Sequence, residues 1–354
     1  MKAAILYWLA LSSITQVACD TVSLELNLVD GTSCLDGSNA GYYLRESSTD
    51  STLWVFWLQG GGSCLDEDSC TERSKTDLGS SSGWAASETS SDTPYKILSD
   101  DVNTNPDFST ANMVYVPYCS GDLHLGQRVI ATDESWGLLF SGHSNLVAIL
   151  DHLNTTTTIN DAEDVLFGGS SAGGIGAIGN VDWVAAHFPN ANVRGVPLAG
   201  WFSSGMTSDQ PDDPWAPPST YDNWVKGETG GQLSQETFAY LSVLYQPYIA
   251  PACLAAQLPG EEFHCGTAQV LTQHITSKMF YIQSMYDSYQ INALGVPPDV
   301  YNATTDGFVS YMGFSMRNST MMVMDSQPDN GIFLASCYIH TSHLGVDTTT
   351  VIDG

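Results

Sequence analysis

Basic side chains are scarce in this 354-residue chain: ten lysines and arginines stand against 39 aspartates and glutamates, a formal net charge of −29. Recognition of phosphate backbones requires clustered lysine and arginine, so this balance excludes nucleic acid as a partner. The acidic excess also opposes tight binding to a polyanionic polymer, because like charges repel where salt does not screen them. We interpret it as a solubilising surface for a saline or acidic exterior.

Cofactor fingerprints and long apolar runs are also missing. Gly173-Gly-Ile-Gly176 lacks the spacing and the acidic partner of a dinucleotide-binding loop, and no phosphate loop is present. Beyond the N-terminus, no stretch is long and apolar enough to cross a bilayer. Neither an internal repeat nor a sharp boundary divides the chain. We therefore expect residues 20–354 to form a single monomeric domain that requires no cofactor and does not span a membrane.

The first 19 residues have the features of a secretory signal peptide. Lys2 supplies a positive start, and Ala3–Leu11 supplies the apolar stretch. Val17 and Cys19 are small residues near a plausible cleavage point. Because the apolar run is too short to span a bilayer comfortably, we predict a signal peptide at residues 1–19 and a secreted, extracellular protein.

Glycosylation sequons and cysteines agree with export. The three sequons begin at Asn154, Asn302 and Asn318. Of the eight cysteines, Cys19 falls at the predicted cleavage point. The other seven are Cys34, Cys64, Cys70, Cys119, Cys253, Cys265 and Cys337. In an oxidising compartment most of these should pair, and the odd number leaves at least one unpaired.

Short apolar runs alternate with helical patterns along the chain. Continuous apolar runs are typical of parallel strands buried on both faces. Such runs are Leu53–Leu58, Met113–Tyr118, Asp164–Phe167, Val193–Leu198, Met279–Gln283 and Gly331–Leu334. Spaced apolar residues predict helices over Leu138–Leu153 and Ala172–Phe188, and alternation predicts a strand over Val22–Leu28. The order predicts an α/β protein with a mostly parallel central sheet flanked by helices.

A candidate nucleophile lies in Gly169-Ser170-Ser171-Ala172-Gly173. A glycine-x-serine-x-glycine motif between a strand and a helix places its serine on a sharp turn, where large neighbours would block the turn and the substrate. Ser171 is therefore the predicted nucleophile, and Ser170 is a competing hydroxyl at the variable position. Amides that stabilise an oxyanion would come from Ala172 and from Gly60–Gly62, which follows an earlier strand.

A serine nucleophile needs a base and an orienting acid, expected in the chain order serine, acid, histidine. The histidines after Ser171 are His187, His264, His274, His340 and His343. His340 and His343 follow the run that ends at Leu334, where a base should lie, and the other three have no such placement. For the acid, spacing alone leaves three candidates: Asp287, Asp299 and Asp325.

Longer sequence blocks carry a family resemblance. The blocks are Asp36–Leu44, Leu58–Cys64, Asn112–Cys119, Gly168–Gly174, Val193–Gly195 and Ser336–His340. In this order they resemble the pectin acetylesterase family, including its animal Notum branch, from about Leu24 to His340. The resemblance implies a carboxylesterase with the α/β-hydrolase fold.

The resemblance also implies roles for individual residues. The family's serine matches Ser171, its acid matches Asp287 in a Tyr-Asp-x-x-Gln setting, and its histidine matches His340. Its oxyanion glycine matches Gly61, with Ala172 as the second donor. The implied chemistry is a covalent acyl-enzyme, in which His340 takes the proton of Ser171 and Asp287 holds the imidazole.

Disulfide pairs follow from the same resemblance. The implied pairs are Cys34–Cys119, Cys64–Cys70 and Cys253–Cys265. Cys337 is then left over, because Thr341 stands where relatives often have a second cysteine. Two departures lie in motifs near the predicted site: Ser63 replaces a tryptophan of plant members, and Leu198 stands where an acidic residue is usual. Both leave pocket shape and substrate open.

Two kinds of ester substrate compete. The triple glycine, without the Notum-type tryptophan at Gly62, favours deacetylation of a cell-wall or other extracellular polysaccharide. The alternative is removal of a fatty acyl group from a secreted protein, as in the Notum branch. An inactive binding protein on the same fold is a further alternative. A zinc site at Cys337, His340 and His343 would need a fourth ligand, and the family pattern already accounts for this segment.

Overall fold

The computed structural model describes residues 23–89, 96–202, 235–293, 296 and 303–341. The predicted signal peptide at residues 1–19 therefore lies outside the described residues. Asp299, Asn302 and His343 lie outside them as well.

Nine strands within the described residues form one sheet in the order β4-β1-β2-β5-β3-β6-β7-β8-β9. Their bounds are β1 Leu24–Leu28, β2 Gly41–Arg45, β3 Leu53–Leu58, β4 Ser87–Glu88, β5 Asn112–Val116, β6 Asp164–Ser170, β7 Asn192–Leu198, β8 Lys278–Ser284 and β9 Gly331–Ala335. From β5 to β9 all neighbours are parallel, whereas β4, β1, β2 and β5 pair antiparallel. The predicted mostly parallel sheet is confirmed, and its antiparallel edge was not predicted.

Eight α-helices lie within the described residues. They are α1 Glu67–Arg73, α2 Gly142–Thr156, α3 Ala172–His187, α4 Gln235–Tyr245, α5 Pro251–Ala256, α6 Ala268–Leu271, α7 Ser288–Ala293 and α8 Ala303–Ser326. Helix α1 begins at a capping box, in which Asp66 accepts from the Ser69 amide and the Ser69 hydroxyl faces the Asp66 backbone. None of the described helices is long and apolar enough to cross a membrane.

The central strands are apolar throughout because both faces of the sheet are covered. On β3, Trp54 and Phe56 belong to a core cluster with α2 and α3, while Val55 and Trp57 belong to a second cluster. Successive side chains of a strand point to opposite faces, so a continuous apolar run fills both clusters at once. Burying each such side chain stabilises the fold by about 1.5–3 kcal/mol, and the sheet becomes a rigid support for the loops at its edge.

The three implied cysteine pairs are bonded in the structure: Cys34–Cys119, Cys64–Cys70 and Cys253–Cys265. Cys337 is free and exposed. The first bond closes a sequence separation of 85 residues, for which the loss of unfolded-chain entropy corresponds to about 4–5 kcal/mol. The second bond joins Cys64, just after the glycine loop (Gly60–Gly62) that follows β3, to Cys70 on α1, and it limits the movement of that loop.

Two of the predicted glycosylation sites lie on described helices. Asn154 is half-buried near the end of α2, where its Nδ2 lies 2.7 Å from His187 Nε2. Asn318 is half-buried within α8. Their modification stays a prediction, and at Asn154 the amide nitrogen would have to leave His187 to carry a glycan.

Candidate active site

Ser171 lies on the turn between β6 and α3 with a strained backbone. Its φ of 56° and ψ of −119° lie in a region that side-chain-bearing residues rarely adopt, at a cost of about 1–3 kcal/mol. The Ser171 amide donates to Leu198 O at 2.8 Å, and Ser171 O accepts from the Ile175 amide at 3.0 Å. These two bonds to β7 and α3 hold the strained turn, which presents the hydroxyl at the end of the sheet.

The glycines of the motif are required by close backbone contacts. A Cβ on Gly173 would lie 2.1 Å from Leu58 O, and one on Gly169 would lie 2.4 Å from Gly173 O. A side chain at Gly173 would therefore push α3 away from β3, and one at Gly169 would push β6 and α3 apart. The spacing that predicted the nucleophile thus reflects how tightly the helix start packs on the strand.

Ser171, His340 and Asp287 form a continuous hydrogen-bonded chain. His340 Nε2 lies 2.8 Å from Ser171 Oγ, and His340 Nδ1 lies 2.8 Å from Asp287 Oδ2 and 3.0 Å from Oδ1. Asp287 follows β8, His340 follows β9 and Ser171 follows β6, so the carboxyl ends of parallel strands bring all three to the same edge of the sheet. The arrangement matches a nucleophile, a base and an orienting acid in geometry.

Asp287 is buried and held by more than the imidazole. Gln283 Nε2 donates to Asp287 Oδ2 at 3.1 Å, and the main-chain N–H of Gln290 donates to Oδ1 at 3.1 Å. Gln290 Nε2 in turn donates to Trp201 O at 3.0 Å. Two fixed donors therefore orient the carboxylate toward His340 before any substrate arrives.

Aromatic rings enclose the imidazole of His340. The Tyr289 ring stacks on it with centroids 5.1 Å apart, and the Phe202 ring meets it edge-on at 6.2 Å. The His340 side chain is left only 17% exposed. Sequence reasoning assigned no role to Phe202 or to Tyr289, although Tyr289 lies within the Tyr-Asp-x-x-Gln setting of Asp287.

The alternative residues lie elsewhere or are otherwise engaged. Asp325 is exposed near the end of α8, and Asp299 lies outside the described residues. His187 contacts Asn154 and the Trp183 ring.

The zinc alternative is not supported by the orientation of His340. One ring nitrogen of His340 faces Ser171 and the other faces Asp287, so neither is directed at a zinc ion. No cluster of three or more metal-binding side chains occurs among the residues that the structure describes.

The glycine loop after β3 lies directly against the nucleophile. A Cβ on Gly60 would lie 3.0 Å from Ser171 Cβ, and Gly61 and Gly62 have φ values of 147° and 69°. Ala172 is the first residue of α3, and the first amides of a helix have no acceptor within the helix. The loop and the helix start both lie where N–H groups could reach the carbonyl oxygen of an ester bound at Ser171, and the roles of Gly61 and Ala172 stay predictions.

A mostly apolar pocket opens at Ser171. It holds about 720 Å³ of empty space, its mouth included. Its apolar lining includes Leu123, Leu125, Ile175, Ile178, Phe202 and Phe238. Gly62 and Ser63 line it at the positions where the resemblance notes a tryptophan. Leu198, in contrast, is fully buried in the sheet and does not line the pocket among the described residues, so that departure does not shape the pocket directly.

The sheet, the flanking helices and the serine on its strand-to-helix turn together define an α/β-hydrolase fold. Residues 13–352 match the family model described as pectinacetylesterase. The chain belongs to this family.

The chain is similar to relatives of two kinds. The palmitoleoyl-protein carboxylesterase NOTUM of Schmidtea mediterranea is 32% identical over 87% of this chain and 55% of its own length. Pectin acetylesterase 5 of Arabidopsis thaliana is 28% identical over 91% of this chain and 74% of its own. The chain thus spans about half the length of the first of these relatives. The solved structure of the Wnt deacylase Notum from Drosophila superposes with a TM-score of 0.73 and 26% identity, covering 90% of this chain and 85% of that one.

Proposed function

We propose that the protein is a carboxylic ester hydrolase that works through an acyl-enzyme on Ser171. The observation that carries this proposal is the continuous chain from Ser171 Oγ through His340 to the buried Asp287. His340 Nε2 accepts the Ser171 proton while Oγ attacks the ester carbonyl carbon. Amides at Gly61–Gly62 and Ala172 receive the negative charge on the carbonyl oxygen.

Collapse of the tetrahedral intermediate completes the first half of the reaction. The bond to the alcohol oxygen breaks, and His340 returns the proton to the leaving alcohol. A water molecule then attacks the acyl-enzyme, with His340 taking its proton and passing it back to Ser171. The products are a carboxylic acid and an alcohol, and no cofactor is needed for either step.

The pocket at Ser171 supports an acyl group longer than acetyl. An acetyl group would cover little of the apolar wall to which Leu125 and Ile178 belong, whereas an alkyl chain would cover more of it. The sequence alone favoured an acetylated polysaccharide, and the family includes pectin acetylesterases. We propose instead the fatty acyl alternative, because the apolar side chains beside the nucleophile match an alkyl chain better than an acetyl group on a polar sugar.

A series of p-nitrophenyl esters from acetate to palmitate tests this proposal. Burying a methylene contributes about 0.8 kcal/mol, so kcat/KM should rise up to about fourfold per added carbon until the pocket is full. Ile175→Trp, which narrows the pocket from α3, should lower kcat/KM for long chains and leave acetate nearly unchanged. The control is Ile130→Trp at a residue that is 72% exposed, which should keep the wild-type profile. A maximum at acetate would favour the deacetylase, and no turnover of any ester would favour an inactive binding protein.

We also propose that the protein is exported after loss of residues 1–19. Three disulfides among the described residues support an oxidising compartment, where such bonds persist. N-terminal sequencing of protein secreted by a eukaryotic host should begin just after residue 19. Retention of Met1 in the secreted protein would contradict the predicted cleavage.

A further inference from the structure

Arg73, the last residue of α1, reaches across to the glycine loop. Its Nη2 donates to Gly61 O at 2.8 Å, and its Nε donates to Leu78 O at 3.1 Å. Its Cζ lies 5.0 Å from the centroid of the Tyr118 ring. Two main-chain acceptors and one aromatic face thus fix the guanidinium, which suits the planar fork of arginine and not a lysine.

The carbonyl that Arg73 holds belongs to the peptide between Gly61 and Gly62. Both glycines have positive φ, and a glycine backbone has little intrinsic preference among conformations. In a trans peptide the C=O and the N–H point in opposite directions, so fixing Gly61 O also fixes the direction of the Gly62 N–H. Gly62 lines the pocket that contains Ser171.

We propose that Arg73 is a positioning residue that holds the Gly61–Gly62 peptide in the orientation that receives negative charge from the ester carbonyl. This inference rests on the proposed function of Ser171. The guanidinium lies behind the peptide and touches no reacting atom, so it acts through the peptide. Its positive charge at Gly61 O also strengthens the peptide dipole, which favours the anionic intermediate over the neutral ester.

The other end of the loop has a separate, uncharged anchor. His124 Nε2 lies 2.9 Å from Gln59 O, and the Tyr118 amide donates to Gln59 Oε1 at 2.8 Å. Burial lowers the pKa of His124 to about 4, so near neutral pH the imidazole is uncharged and donates from Nε2. Loss of Arg73 would therefore leave Gln59 in place and free only the peptides beyond it.

The charge of Arg73 also extends to the wall of the pocket. Burial raises the pKa of Tyr289, and the nearby Arg73 opposes that rise. The Tyr289 hydroxyl would lie 3.5 Å from a Cβ on Gly62, and its ring stacks on His340. The positive charge of Arg73 therefore reaches a side chain that contacts His340.

Steady-state kinetics of Arg73→Met on the preferred ester test the inference. The variant keeps an apolar stem over Tyr118 and removes both hydrogen-bond donors. We expect kcat to fall about ten- to hundredfold, a smaller loss than removal of an oxyanion donor causes, and KM to stay within about threefold of the wild-type value. Arg73→Lys should recover only part of kcat. In Arg73→Ala, millimolar guanidinium should restore part of kcat, an effect that a purely structural role would not produce.

The matched control is Arg45→Met. Arg45 is buried whereas Arg73 is half-buried, but Arg45 likewise donates to main-chain carbonyls, those of Leu98 and Ser109, in a region away from Ser171. It should lower the melting temperature and leave kcat per folded molecule unchanged. If Arg73→Met keeps wild-type kcat, or loses it only in proportion to folded protein, the role of Arg73 is overturned. A wild-type protein without ester turnover would instead defeat the proposed function itself.

Discussion

Replacing Ser171 with alanine is expected to lower kcat for ester hydrolysis by about 10⁴- to 10⁶-fold. The substitution removes the hydroxyl oxygen that lies 2.8 Å from His340 Nε2, so no acyl-enzyme can form. Any remaining rate would come from substrate binding and from the amides of the glycine loop and α3. A fluorophosphonate, which labels activated serines, should modify the wild-type protein on the peptide that contains Ser171 and leave the variant unlabelled.

The neighbouring Ser170→Ala is the matched control for this experiment. Ser170 is the last residue of β6 and is buried in the sheet, and it carries the other hydroxyl of the motif. Its loss should change kcat by only a few fold, with the melting temperature of both variants measured to show that each is folded. Equal labelling of wild type and Ser171→Ala would remove Ser171 from the mechanism.

The parallel half of the sheet was predictable because its strands are buried on both faces. Leu53–Leu58 was predicted as a strand, and β3 has the same bounds. Strand β2 was missed, since it begins with Gly41 and ends with Arg45, which no apolar pattern includes. The Arg45 guanidinium is buried against the carbonyls of Leu98 and Ser109. Acceptors so distant in the chain cannot be inferred from the strand's own residues.

Helix α8 was also missed, although its apolar residues have a helical spacing. Phe308, Met312 and Met316 recur every four residues and face buried clusters. The threonines, serines and glycines between them lower the helix propensity, which is why the pattern was not recognised. Gly313 has a tertiary reason: a Cβ there would lie 2.3 Å from the Tyr286 ring. Packing against the segment that carries Asp287 thus overrides local propensity.

The candidate site was partly predictable for a comparable reason. The motif around Ser171 and the chain order of acid and base can be recognised in the sequence. Spacing did not choose among Asp287, Asp299 and Asp325 as the acid, and only the family resemblance selected Asp287. The structure brings Asp287 and His340 to Ser171, and their catalytic roles stay predictions. Arg73 carried no sequence signal, because its contact is with a main-chain carbonyl that any residue could supply. Main-chain contacts of this kind become visible only in three dimensions.

Asp287→Asn should lower kcat by about 10⁴-fold at neutral pH while leaving the fold intact. The carboxylate accepts the Nδ1–H of His340, which leaves Nε2 unprotonated and able to take the proton of Ser171. An asparagine amide of the same shape can donate to Nδ1 and thereby stabilise the tautomer with hydrogen on Nε2. That tautomer cannot act as a base toward Ser171, so geometry is kept and proton transfer is lost.

The measurement compares kcat and the fluorophosphonate labelling rate of Asp287→Asn with those of wild type. Both should fall together, because each requires the activated serine, whereas KM should change little. Asp325→Asn is the control, since Asp325 was an alternative acid by spacing and is exposed on α8. Wild-type kcat in Asp287→Asn, or a large loss in Asp325→Asn, would reassign the acid. Because the remaining oxygen at position 287 can still accept from Gln283 Nε2 or from the Gln290 main-chain N–H, the melting temperature should fall far less than the rate.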